Sequence, residues 1–193
     1  MGRKVAFNAE KKKNQYTNSK NNGKIKQRGD GGFHMSMVLD VDTTVFDVAE
    51  FFLSQERPNE RWDITHLKLQ KLVYYAQGWS LALRDNRPLF QNKIEAWSHG
   101  PVCTDLYRRY RQFGFSIIPQ IHVDNMPFSD DDRDLLLAVW SKYGFKDARA
   151  LEFMTHEETP WKNAWRNVEG RGRRNSTITT TSMGAYFSSL LSR

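Results

Sequence analysis

Cysteine is almost missing from this sequence, because Cys103 is the only one among 193 residues. A lone cysteine excludes an intrachain disulfide and is typical of proteins of a reducing compartment. Long hydrophobic runs are also lacking: no stretch approaches the roughly 20 apolar residues of a membrane span. The basic N-terminus is not followed by the apolar segment of a signal peptide. We therefore expect a cytoplasmic protein without membrane association.

Net charge is lacking from most of the chain. The formal charge of +7 is carried by residues 1–34, and residues 35–193 are formally neutral. A domain without excess positive charge is not a globally basic nucleic-acid-binding fold. Residues 1–34 are rich in Asn, Lys and Gly without hydrophobic periodicity, which predicts a basic disordered extension before a domain at 35–193. Met35 or Met37 would be a sensible start for that domain.

Helical patterns dominate the rest of the sequence. Thr44, Thr65, Ser129 and Asp147 each precede a run of apolar residues at helical spacing and are candidate N-caps. Gly78, inside the second helix, suggests close backbone packing. We expect Gly100-Pro101 to open a helix, with Pro101 at its first position. The sequence predicts a mainly α, compact single domain of about seven helices with one or two short strands.

Residues that could perform catalysis are sparse. His99 and Cys103 are four positions apart, but a buried, inert cysteine is the better interpretation. The cluster His156-Glu157-Glu158 lacks metal-site spacing, because adjacent helical residues point in different directions. The sequence contains no HExxH, CxxC, GxSxG, P-loop or GxGxxG motif. We expect no catalytic residue, no metal and no cofactor.

Nucleic-acid binding is an alternative that two arginine clusters keep open. Arg108, Arg109 and Arg111 follow one predicted helix, and the loop residues Arg171, Arg173 and Arg174 form the second cluster. Each cluster could contact phosphates or be an ordinary solvated surface. In this alternative the protein is a nucleic-acid-associated regulator that uses the 171–174 loop and the basic N-terminal arm.

Four motifs occur in a specific order: LKLQKLVYYAQGWSLA at 67–82, PLF at 88–90, IEAWSHGPVCTDLY at 94–107 and MTHEETPW at 154–161. Together they resemble the Panacea domain family, which includes SocA-type antitoxins and prophage-borne proteins. The resemblance runs from about Val45 to Leu191. It implies an antitoxin that binds a neighbour-encoded toxin protein directly. One branch of the family resembles adaptors that deliver the toxin to a cytoplasmic protease, and the resemblance implies no catalytic residues.

The motif residues form a candidate partner-binding site, which we call the motif corner. Its members are Lys71, Tyr74, Tyr75, Trp97, Gly100, Pro101, Val102, Tyr107, His156, Pro160 and Trp161. We expect Trp97 to pack against the Tyr74–Tyr75 helix, and His156, Pro160 and Trp161 to close the same corner. Because aromatic residues serve both cores and interfaces, the sequence leaves open whether the corner is structural or contacts a partner.

Overall fold

The computed structural model describes residues 43–166 and 176–192. The predicted extension at 1–34 and the arginines of the 171–174 loop lie outside the described residues. The helices are α1 (Val45–Ser54), α2 (His66–Leu83), α3 (Thr104–Tyr110), α4 (Asp130–Tyr143), α5 (Ala148–Glu157), α6 (Thr159–Arg166) and α7 (Thr180–Leu190). The strands are β1 (Ile94–Trp97), β2 (Gly100–Cys103) and β3 (Ser176–Ile178). The mainly α fold is therefore confirmed.

The four predicted N-caps are confirmed. The side chains of Thr44, Thr65, Ser129 and Asp147 each accept a hydrogen bond from the backbone N–H three residues later. These bonds satisfy N–H groups that have no partner within the helix. Because each bond joins residues three positions apart, the sequence alone was enough to predict them.

Helix α2 is the centre of the fold. It packs against α1, α3, α4, α5, α7 and β2, and most of its 18 residues are buried. Gly78 lies against the ring of Phe187 on α7, and a Cβ at this position would overlap that ring. The predicted close packing at Gly78 is confirmed.

The prediction that Gly100-Pro101 opens a helix is wrong. Both residues belong to β2, which pairs antiparallel with β1 through a tight turn, and the helix begins only at Thr104. Gly100 has φ +91°, which suits glycine and not a helix. In the sheet order β2-β1-β3, β2 is an edge strand, where the missing N–H of Pro101 is tolerated.

The described residues contain three strands, one more than the upper number predicted. The third, β3, pairs with β1 through Ile94 and Ile178, which are remote in sequence. Helix α5, which Asp147 caps, runs to Glu157. It ends where Glu158 adopts an extended backbone, with φ −86° and ψ 138°, and points its carboxylate into the core.

A candidate partner-binding corner

The β1–β2 turn is the centre of the motif corner and fits closely against α2 and α5. A Cβ on Gly100 would lie 2.7 Å from Thr155 Oγ1 and 2.9 Å from Lys71 Nζ. No larger residue fits there without displacing buried atoms. Gly100 therefore allows the hairpin to lie directly on both helices.

Lys71 of α2 holds the β1–β2 hairpin in place. It is fully buried, and its Nζ donates a hydrogen bond of 2.9 Å to the carbonyl oxygen of Pro101. Burial lowers the pKa of Lys71 to about 7, and the nearby carboxylate of Glu152 opposes that shift. Lys71 is therefore a positioning residue under the turn and is inaccessible to a partner.

Two glutamines of α2 hold neighbouring backbone in a similar way. Gln70 accepts from the Cys103 N–H at 2.8 Å and donates to the Cys103 carbonyl oxygen at 3.3 Å. Gln77 donates to the Phe90 carbonyl oxygen and accepts from the Leu89 N–H, each at 2.8 Å. Lys68, also buried, donates to the Arg61 carbonyl oxygen at 2.7 Å. The sequence analysis did not single out these three residues. A usable signal was that they are polar residues on a helix whose apolar residues lie on more than one side.

Tyr74 and Tyr75 hold a buried carboxylate. Their hydroxyl groups donate to Glu158 at 2.7 and 3.0 Å. Burial raises the pKa of Glu158 to about 7, and the two hydrogen bonds only partly oppose that shift. The Tyr75 ring also stacks on Tyr143, with centroids 3.9 Å apart. Glu158, missed at the sequence level, thus joins the start of α6 to α2.

The ring of Trp97 contacts Tyr107 on α3, and its expected packing against the Tyr74–Tyr75 helix stays a prediction. The Trp97 ring lies 4.9 Å from Tyr107, which in turn lies 5.0 Å from His66 at the beginning of α2. The ring contacts of the Tyr74–Tyr75 pair are with each other, Tyr143 and Phe187. Tyr107 therefore lies between the ring of Trp97 and the first turn of α2. Tyr107 and Trp97 are both partly exposed.

The segment 156–161 closes the corner from the other side. Trp161 Nε1 donates to the Trp97 carbonyl oxygen at 3.0 Å, and the rings of His156 and Trp161 lie 4.1 Å apart. Burial lowers the pKa of His156, and its Nε2 has no hydrogen-bond partner among the described residues. Pro160 at the beginning of α6 is buried, and so are Pro101 and Val102 of β2. The structure thus brings the two motif segments together.

The other residues considered as functional are separated or paired. Cys103 is buried, which raises the pKa of its thiol, whereas His99 is exposed and bonds Glu152 at 2.8 Å. Arg108 pairs with Asp105 and Arg109 with Glu50. Across residues 43–166 and 176–192, no three His, Cys, Asp or Glu side chains are grouped to hold a metal ion. No helix in these ranges has the length and apolar character needed to cross a bilayer.

Comparison with known families gives one match. The family model for the SocA-like antitoxin, Panacea domain, matches residues 69–162, which is just under half of the chain. These residues include the β-hairpin and both segments of the motif corner. The resemblance predicted from the four motifs is thereby confirmed over this range. No match was found among curated proteins or among solved structures.

Proposed function

We propose that this protein is an antitoxin that neutralises a neighbour-encoded toxin by binding it directly, in the cytoplasm and without turnover. The observation that carries the proposal is the match of residues 69–162 to the SocA-like antitoxin domain. The matched residues run from the first turns of α2 to the beginning of α6 and include every residue of the motif corner.

The motif corner has an inner and an outer layer, and only the outer layer is available for binding. Lys71, Tyr74, Tyr75 and Glu158 are buried and bonded within the protein. Their role is to hold the hairpin, α5 and α6 against α2. Trp97, Tyr107 and Trp161 are only partly buried. Rigid aromatic side chains of this kind supply contact area at low entropic cost, which favours protein–protein binding.

Co-expression tests the proposal. The neighbouring open reading frame would be induced alone and then together with the full 193-residue chain. We expect growth arrest from the neighbour that this chain relieves, and a stable complex of the two purified proteins. A toxic neighbour whose effect persists, with no complex formed, would contradict the antitoxin role.

The proposal includes a finer hypothesis, that bound toxin is delivered to a protease. Toxin lifetime distinguishes delivery from simple blocking. After synthesis is stopped, a delivered toxin should disappear faster when this chain is present, and a blocked toxin should persist at the same level or longer. A blocked toxin should also be inactive in the purified complex, without any protease present.

A further inference from the structure

We infer that the outer surface of α5 and α6 is the docking site for an acidic face of the toxin. This inference rests on the antitoxin role proposed above. Four ring-bearing side chains lie along this surface: Phe153, His156, Trp161 and Trp165. We call them the aromatic ridge.

The aromatic ridge is exposed on one side and fixed on the other. Phe153 is 68% exposed and lies one helical turn before His156. The Trp161 ring contacts His156 and stacks on Trp165, with the two indole centroids 5.4 Å apart. The hydrogen bond from Trp161 Nε1 to Trp97 holds this stack in place. A partner would therefore lose little side-chain entropy on binding it.

Trp165 adds a second indole to the ridge. Its side chain is partly exposed, and its Nε1 makes no hydrogen bond within the described part of the chain. Tryptophan and arginine are the residues most enriched at the energetic centres of protein interfaces, where one end of the indole is buried and its N–H finds a partner. The ridge contains two tryptophans, Trp161 and Trp165, and the exposed arginines Arg149 and Arg166 lie at its two ends.

The charges around the ridge select the chemistry of the partner. Of the exposed or half-buried carboxylates of α5, Glu157 forms an ion pair with Lys162 at 2.9 Å, and Glu152 hydrogen-bonds the ring of His99 at 2.8 Å. Arg149, one turn before Phe153, and Arg166, at the end of α6, are exposed. Neither arginine forms an ion pair within residues 43–166 and 176–192. Arg149 and Arg166, which have no ion-pair partner in these ranges, outnumber Glu152, whose partner is a histidine, so an acidic face is the complementary one.

A second exposed phenylalanine provides the comparison. Phe115 is 98% exposed on the loop after Gly114, and its ring has no aromatic contact with another described residue. A single exposed apolar side chain is ordinary on a protein surface. Phe115 is therefore the matched control for Phe153, with equal chemistry and no ridge around it.

The test measures affinity of the full chain for the purified toxin encoded by the neighbouring gene. We expect Phe153→Asp to weaken binding roughly 30-fold or more, as loss of a central interface residue does. Phe115→Asp should stay within about threefold of wild type. Arg149→Glu and Arg166→Glu should slow association and reduce its salt dependence, whereas Arg111→Glu should not. Because all five side chains are exposed, the melting temperature should change little.

Three outcomes would overturn the docking site. If Phe115→Asp abolishes binding and Phe153→Asp does not, the toxin docks on the 114–118 loop. If the Phe153→Asp variant no longer binds an oligodeoxythymidine that the wild-type chain binds, but still binds the toxin, the ridge is a nucleic-acid surface. If the wild-type chain neither binds nor neutralises the toxin, the proposed function fails as well. The first two outcomes leave neutralisation by the wild-type chain intact, which separates failure of the site from failure of the function.

Discussion

Tyr74 and Glu158 are 84 positions apart in sequence and are joined by a hydrogen bond of 2.7 Å. The bond lies in the core, where Tyr75 donates to the second carboxylate oxygen. Lys71, one turn before Tyr74 on the same helix, bonds the hairpin in a similar way. Three of the motifs therefore meet through buried polar bonds, and the aromatic surface above them depends on this inner layer.

The first prediction concerns stability against pH. Glu158 titrates at about 7 in the folded protein and at 4.5 in its reference state. The folded state then holds more protons between these values, so the free energy of unfolding should fall as pH rises from 4.5 to 7. Lys71 has the opposite effect above pH 7, because its folded pKa of about 7 lies below its reference value of 10.5. Stability from these two groups should pass through a minimum near pH 7.

Chemical denaturation at a series of pH values checks this prediction. Glu158→Gln should remove most of the acid-side rise, and Lys71→Met should reduce the alkaline-side rise. Burial lowers the pKa of Lys68 to about 8, so Lys68 also contributes to the alkaline-side rise. Glu157→Gln is the matched control, because Glu157 is adjacent but exposed. A profile that Glu158→Gln leaves unchanged would refute the role of this carboxylate.

The second prediction uses two glycines with positive φ. Gly100→Ala should destabilise the protein by about 2–4 kcal/mol, because φ is +91° and the added Cβ would meet Lys71 and Thr155. Gly114→Ala, with φ +51°, ψ −118° and open space around it, should cost less, about 1–3 kcal/mol, because only backbone strain is added. Unfolding in guanidinium chloride measures both. Equal losses would show that backbone conformation, and not the close approach, makes glycine necessary at position 100.

The third prediction separates the structural and binding roles of Trp97. Trp97→Ala removes the contact with Tyr107 while the backbone bond to Trp161 remains. We expect the melting temperature to fall by about 5 °C, consistent with a loss of about 2 kcal/mol in a domain of this size. Thermal unfolding and toxin affinity are to be measured on the same sample. Unchanged melting with lost binding would make Trp97 a direct contact of the partner.

Part of the candidate site could be predicted from the sequence. The motifs indicated that Trp97, Tyr107, His156 and Trp161 belong to one corner, and the structure brings them within ring or hydrogen-bond contact. The sequence did not show which of the motif residues are buried. Lysine and tyrosine also occur on protein surfaces, so the motif does not show that Lys71 and Tyr74 are buried. They are enclosed because α5, α7 and β2 pack around α2.

Features that depend on residues close together in the chain could be predicted from the amino-acid sequence. The caps at Thr44, Thr65, Ser129 and Asp147 depend on bonds between residues three apart, so local chemistry was sufficient. Strand formation at Gly100-Pro101 and the burial of Glu158 depend on contacts between distant residues. Gly100-Pro101 became a strand because β1 pairs with it, and Glu158 became a core carboxylate because two tyrosines from a remote helix donate to it. Strand pairing and buried polar bonds join distant parts of the chain, and local sequence does not specify which parts meet.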